Sequence, residues 1–337
     1  MNILYDGILS NLQSYGGITV YFRELISRLN KSEHVVVEYN AQASLSKNSI
    51  IRKPRLLERY RNFQMKELEA SVFHSTYYRI PDIKKMPVIT TVHDFTYELY
   101  VQGMKKKVHS WQKNKAIHAS DIIVCVSNNT ANDLLKYCKV DEGKIHVIYN
   151  GVSEDYFPLN LEATNQVLFV GARSGYKNFS LAVKAISQTK GLFLGIIGGG
   201  DLSSKEEAML NSLLPSRYKY YGKVTNEELN YLYNTAYCLL YPSEYEGFGI
   251  PVIEAMRARC PVIAANRSSI PEVAGNSAIL LNTITVNNLA DALMTVSSCR
   301  TSLVNNGLLQ ANKFSWNRCF LETEQIYKEL SEHWESK

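Results

Sequence analysis

The chain has 337 residues, 45% hydrophobic and 20% charged, an ordinary composition for a soluble globular protein. Its net charge of +5, from 37 basic and 32 acidic side chains, is mild, and nucleic acid is not expected as a partner. No apolar run approaches the ~20 residues of a membrane-spanning helix, and the start MNILYDGILSN lacks the basic and long apolar regions of a secretory signal.

In chain order, NILY (2–5) reads as a strand and GITVYFRELISRL (17–29) as a helix. HVVVEY (34–39), PVITTV (87–92) and DIIVCVS (121–127) read as further strands. Continuous β-branched runs suit strands buried on both faces, and helical stretches between them favour a parallel sheet. The polar, aperiodic NGVSEDYFPLNLEATN (150–165) reads as an inter-domain linker. The alternation then restarts with QVLFVG (166–171), LFLGIIG (192–198), YKYYG (218–222), YCLLYP (237–242) and PVIAA (261–265). TNEELNYLYNTA (225–236) opens with Thr225 and Glu228 in capping-box spacing. FSWNRCFLETEQIYKELSEHWE carries Phe314, Phe320, Ile326, Tyr327 and Leu330 at helical spacing, the pattern of an amphipathic helix packed on the body.

The class is therefore α/β, with two doubly wound, Rossmann-like domains facing a central cleft. Ligands of such sheets bind beyond the carboxyl ends of the strands. The expected division is 1–153, 154–310 and a terminal helix over 311–337 packed on the body. The six cysteines form no C-x-x-C pair and read as reduced, mostly buried thiols of a cytoplasmic protein rather than a zinc site. Lysine and arginine concentrate in IRKPRLLERYRNFQMK (51–66) and GMKKKVHSWQKNK (103–115), interleaved with Leu56, Tyr60, Phe63, Val108 and Trp111. Two readings stand: solvated helix faces, or basic helices that rest on an anionic membrane surface.

The segment EYEGFGIPVIE (244–254) carries the chemistry. Pro251 marks the start of a helix, because its missing N–H would be unpaired there in any case. Gly247 and Gly249 let backbone N–H groups approach a ligand closely. A helix N-terminus favours a phosphate or a developing anion. Glu254 in that helix suits vicinal hydroxyls such as those of a ribose, and Glu246 in the preceding loop suits the hydroxyls of a sugar. From these residues alone, a carboxylate complementing its helix dipole and glycines serving a tight turn remain an equal reading.

The stretch YPSEYEGFGIPVIEAMRARCPVIAANRSSIPEVAGNSAILL closely resembles the donor segment of the family 4 glycosyltransferases, retaining enzymes of GT-B fold whose hallmark is Glu-x7-Glu, here Glu246 and Glu254. The resemblance extends, in order, to YGGITVYFRELI (15–26), TVHDFTYE (91–98), VCVSNNTANDL with VIYNGV, FVGARSGYKNFSLAVKAI and ANKFSWNRCFLET. It implies that the terminal helix over 311–337 packs back toward the first domain, and that Glu254 binds the ribose of a nucleotide sugar. Glu246 would hold the transferred sugar and stabilise positive charge at its anomeric carbon. Phe248, Gly249 and Ile250 would offer backbone amides. Arg173 and Lys177 would compensate the diphosphate. Ala172 and Tyr176 depart from the common pattern here, which leaves Arg173 less firmly assigned than Lys177. Gly16 and Gly17 would close over the phosphate, His93 would face the sugar or acceptor, and Lys223 and Val224 would line the base.

No D-x-D occurs, and the resemblance implies a metal-independent reaction with no cofactor beyond the nucleotide-sugar substrate. The implied mechanism is a same-face substitution in which the leaving phosphate deprotonates the incoming hydroxyl, with both glutamates as binders. The expected function is transfer of a hexosyl unit, with mannose from GDP-mannose favoured, to a lipid-linked oligosaccharide acceptor in O-antigen or capsule assembly, peripheral at the inner face of the cell membrane. A UDP-hexose donor, or a nucleotide-sugar hydrolase or epimerase of the same fold, are the alternatives. A dehydrogenase is disfavoured, because GIIGGGDLS does not complete G-x-G-x-x-G.

Overall fold

The computed structural model describes residues 1–336 apart from 14–15, 31, 41–43, 48 and 174. Tyr15 and Ser174, inside the motifs quoted above, lie outside the described residues. The chain forms two compact units, Met1–Gly151 with Trp316–Lys337, and Val152–Ser315.

The first unit is built on β1 (Ile3–Asp6), β2 (His34–Glu38), β3 (Ser49–Ile51), β4 (Val72–Ser75), β5 (Val88–Val92), β6 (Ile122–Cys125) and β7 (Ile145–Val147). They pair in parallel in the order β3-β2-β1-β4-β5-β6-β7. Every residue of β1, β4 and β5 is buried, as continuous apolar runs require. The order reverses between β1 and β4. There Thr76 Oγ1 donates to the Asp6 carbonyl and accepts from Leu9 N–H at 3.2 Å, while the buried Arg79 guanidinium meets Asp6 Oδ1 at 3.0 Å. Helix Trp316–Glu335 buries Trp316, Phe320, Ile326 and Tyr327 in this unit's core. Tyr327 Oη lies 2.9 Å from Tyr5 Oη and 2.6 Å from His74 Nδ1, and His74 Nε2 lies 2.9 Å from Thr91 Oγ1. Burial pushes the His74 pKa down to about 3, so the ring is neutral and can accept at one nitrogen while donating at the other.

The second unit is built on β8 (Gln166–Val170), β9 (Phe193–Ile197), β10 (Tyr218–Gly222), β11 (Cys238–Tyr241), β12 (Val262–Ala265) and β13 (Ile279–Leu281). They too are parallel, in the order β10-β9-β8-β11-β12-β13. Helix Asn226–Thr235 starts with both halves of the Thr225–Glu228 capping box in place, and helix Ser204–Leu213 does the same with Ser203 and Glu206. Each unit is thus a doubly wound α/β body.

Several expectations are corrected in detail. Residues 150–165 are not a free linker. From Val152 onward they belong to the second unit, where Phe157 N–H donates to Asn230 Oδ1 at 3.1 Å and Leu159 N–H to Asn234 Oδ1 at 2.7 Å. Periodicity is silent there because an extended strap needs no repeat. The units divide at 151 and 315 rather than at 153 and 310, since helix Val286–Ala311 belongs to the second unit. Phe314 precedes the terminal helix and packs edge-on against Phe248, ring centroids 5.6 Å apart. Residues 51–66 hold only the end of β3 and a single 3-10 turn, Glu58–Tyr60. The lysine-rich 103–115 is helical, within Gly103–Ala119. Strands β3, β4, β7 and β13 escape a pattern search: β3, β7 and β13 are three residues long, and β4 carries His74 and Ser75 among its four.

Candidate active site

The order of the second sheet reverses between β8 and β11, so their carboxyl ends lie side by side, where open parallel sheets bind ligands. The loop after β8 ends in a 3-10 turn, Gly175–Lys177, and the loop after β11 runs to Gly249. The two loops are stitched together. Glu244 N–H donates to the Tyr176 carbonyl at 2.8 Å, and Asn178 Nδ2 donates to the Pro242 carbonyl at 2.9 Å and Glu244 Oε1 at 3.2 Å.

This brings Lys177 onto Glu246. The ammonium donates to Oε1, and the two side chains are 13% and 12% exposed. The Lys177 Nζ also lies 5.4 Å from the ring centroids of Tyr176 and Tyr241. Burial first, then the Glu246 charge, pushes the Tyr241 pKa upward. The backbone of Glu246 is fixed by two serines: its N–H donates to Ser268 Oγ and its carbonyl accepts from Ser269 Oγ, both at 2.9 Å. A cation and a carboxylate, partly shielded at a switch point, form a polar pair ready to exchange partners with a charged, hydroxyl-rich ligand.

Gly249 adopts φ +97°, a left-handed conformation natural to glycine, and caps helix Ile250–Arg257 with Pro251 in its first turn. Gly247, Phe248 and Ile250 belong to the same turn, with Phe248 buried against Phe314. Glu254 lies just past the first turn. Its Oε2 accepts from Tyr233 Oη at 3.2 Å, and Tyr156 lies close enough to the same carboxyl to act on it. Burial raises its pKa to about 7, against the two tyrosine hydroxyls, which favour the charged form.

Arg173 is placed differently from Lys177. Its Nε donates to Glu206 Oε1 at 2.7 Å, and its other nitrogens donate to the carbonyls of Gly198 at 2.8 Å, Gly200 at 2.9 Å and Asp201 at 2.7 Å. A Cβ on Gly199, at φ +76°, would come within 2.6 Å of Arg173 Nη1 and 2.7 Å of the Gly171 carbonyl, so this clasp requires glycine there. With its side chain only 4% exposed, Arg173 holds the glycine loop through these bonds. Arg173→Ala is expected to destabilise the second unit by ~1–2 kcal/mol, because the carbonyls of Gly198, Gly200 and Asp201 lose their donor while Glu206 keeps only its capping box with Ser203. A thermal melt within one degree of wild type would contradict this.

Lys223 and Val224 follow β10, separated from β8 by β9; Lys223 is exposed and Val224 half-buried. In the first unit, Gly16 caps helix Gly17–Arg28. His93 follows β5, with its ring edge-on to Tyr21 at 5.0 Å. Among the described residues its buried Nε2 has no hydrogen-bond partner. Burial first, then the Lys113 charge, lowers its pKa to about 4 against the pull of Asp94, so the imidazole is neutral near pH 7. Tyr156, Tyr233, Tyr241, Ser268 and Ser269 were missed by sequence reasoning. Only the serine pair before Pro271 left a cue, as a tight approach to a short helix.

The fold is that of the GT-B proteins. The chain superposes over 98% of its length on 99% of sucrose-phosphate synthase from Thermosynechococcus elongatus, with TM-score 0.79 and 18% identity. The family model described as Glycosyl transferases group 1 matches residues 153–307, and that described as Glycosyltransferase Family 4 matches residues 15–156. The chain belongs to the family 4 glycosyltransferases. It is a glycosyltransferase. It is 32% identical over 213 residues to an O-antigen chain mannosyltransferase of Salmonella typhimurium, covering 62% of this chain and 60% of that relative. It is 26% identical over 318 residues to O-antigen chain mannosyltransferase B of Escherichia coli, covering 83% and 81%.

Proposed function

We propose that this chain is a retaining, metal-independent transferase that moves a mannosyl unit from GDP-mannose to a hydroxyl of a lipid-linked glycan in surface-polysaccharide assembly. The observation that carries the reading is the Lys177–Glu246 pair at the switch point, beside a glycine-capped helix. Two relatives named for O-antigen chain mannosyl transfer support the general type of transfer, and mannose is proposed from their names.

In this reading Lys177 turns from Glu246 to the diphosphate, and Glu246 is released to the hydroxyls of the sugar. The N-terminus of helix Ile250–Arg257 adds a positive dipole, so charge on the leaving group is met without a metal. Glu254 takes the ribose hydroxyls. The C1–O bond to phosphate breaks, the acceptor oxygen bonds C1 on the same face, and its proton passes to the departing phosphate oxygen. His93, neutral and with an orphaned nitrogen, is assigned to a hydroxyl of the acceptor. A thermal-shift panel tests the donor. GDP at ~100 times its Kd stabilises a folded protein by ~2.7 kcal/mol and should raise Tm clearly, with UDP and dTDP inert. A shift with UDP alone would replace mannose by a UDP-linked hexose.

The acceptor's lipid gives the first unit a role at an anionic bilayer. Among the described residues no helix is long and apolar enough to cross a membrane. Leu56, Leu57 and Trp111 are 80%, 64% and 55% exposed, and Leu57 holds a left-handed backbone at φ +58°. Tyr60, Arg61, Trp111 and Lys115 line one surface pocket, which joins the 3-10 turn to the lysine-rich helix. Exposed Lys105 and Lys107 lie on that helix, and each basic residue near an anionic surface is worth ~1 kcal/mol. Flotation with vesicles containing phosphatidylglycerol should recover the protein. The Leu56→Glu, Leu57→Glu double variant should stay in the aqueous fraction; equal flotation of the variant, or none by wild type, would remove the bilayer from the account.

A further inference from the structure

We propose that Tyr156 and Tyr233 are positioning residues for the nucleotide sugar: their hydroxyls hold the Glu254 carboxyl from the protein side and leave its other face to the ribose. The inference rests on the reading of Glu254 as the ribose binder and adds two residues and a strap to it.

The geometry is built by one helix. Tyr233 lies on helix Asn226–Thr235, is fully buried, and donates to Glu254 Oε2 at 3.2 Å. Asn230 and Asn234 of the same helix capture the backbone of the strap at Phe157 and Leu159. Arg257, one turn beyond Glu254, donates through Nε to the Tyr156 carbonyl at 3.0 Å. Tyr156 is thereby pinned on both sides, 3% exposed, with its ring 6.0 Å from that of Tyr233. A buried hydroxyl requires a partner. That of Tyr156 has one proton and two neighbours, the Glu254 carboxyl and, at 3.4 Å, Asn226 Oδ1. It can donate to Glu254 when the carboxyl is ionised, and to Asn226 while accepting from Glu254 when it is protonated.

Among the described residues, the groups around Glu254 that can carry charge are few. Tyr233 hydrogen-bonds it, Tyr156 acts on it from beside Tyr233, Tyr241 on β11 lies within electrostatic range, and Arg257 shares its helix but bonds the strap. Cys260 acts on Tyr233. Among the described residues no cation is among the groups that shift Glu254, so its charge state rests on burial and on the two tyrosines. A ribose that donates two hydroxyls favours the ionised carboxylate. Donor affinity is then coupled to pH through this cluster.

The test measures donor KM, kcat and GDP affinity from pH 6 to 8.5 for wild type, Tyr156→Phe, Tyr233→Phe and Glu254→Gln, each checked by thermal melt. Each Phe variant should raise donor KM by ~5-fold, the worth of about one hydrogen bond, with kcat within about twofold. Because each loses a bond that favours the ionised form, the pH midpoint of GDP binding should move upward. Glu254→Gln should abolish that midpoint. A purely structural tyrosine would lower Tm and leave the midpoint in place. Wild-type KM and midpoint in whichever Phe variants fold would overturn the positioning role. Wild-type GDP affinity in Glu254→Gln would overturn the ribose reading itself, independently of the tyrosines.

Discussion

Lys177→Ala and Glu246→Ala should each lower kcat by ~10²–10³, the usual cost of removing one preorganised charge partner from a transition state. Both should keep the fold, because the stitches between their loops run through Tyr176, Asn178 and Glu244, not through the pair itself. The pair also predicts non-additivity. Each single variant strands a partly buried charge of opposite sign. Removing both should therefore cost much less than the product of the two effects. Lys177→Arg should recover little: a planar fork does not replace an ammonium that lies beside both Tyr176 and Tyr241. Near-normal turnover in both alanine variants would remove the pair from the site.

Glu254→Ala is expected to act on binding rather than on turnover. A hydrogen bond to a charged group contributes ~1.5–3 kcal/mol, so the loss of ribose contacts should weaken GDP by ~10- to 100-fold in calorimetry, with a smaller change in kcat. The pH dependence follows from the same group. Its folded pKa is about 7 and its ordinary value 4.5. The folded state holds the extra proton between these values. The stabilisation from that proton is complete below about 4.5 and is lost as pH rises to about 7. Ligand binding runs the other way: GDP affinity should rise as pH passes upward through 7, while the free protein becomes less stable. Unchanged affinity in Glu254→Ala, or a flat profile between pH 6 and 8, would contradict the assignment.

Most of the fold was legible because buried parallel strands write themselves as continuous apolar runs, β-branched in β5 and leucine-rich in β11. β5, β11 and β12 were read almost to the residue. What failed to show was structure without a period. The strap that carries Tyr156 looked like a linker, yet two asparagine side chains make it part of the second unit. Glu246 and Glu254 were legible from spacing and resemblance, and Lys177 from the same source. The division of labour between the two cations was not. Arg173 and Lys177 are four residues apart in one basic loop, but the left-handed run Gly198–Gly200 takes the guanidinium into its carbonyls. A sequence shows that two charges are present; which one a neighbouring loop consumes is a property of the packing.

The most direct measurement is the anomeric configuration of the product. Purified protein, GDP-α-mannose and a lipid-linked acceptor glycan should yield, by NMR, an α-mannoside that forms only when acceptor is present and falls by at least ~10² in rate with Glu246→Ala. A β-linked product, free mannose released at the same rate without acceptor, or undiminished transfer by Glu246→Ala would contradict the account.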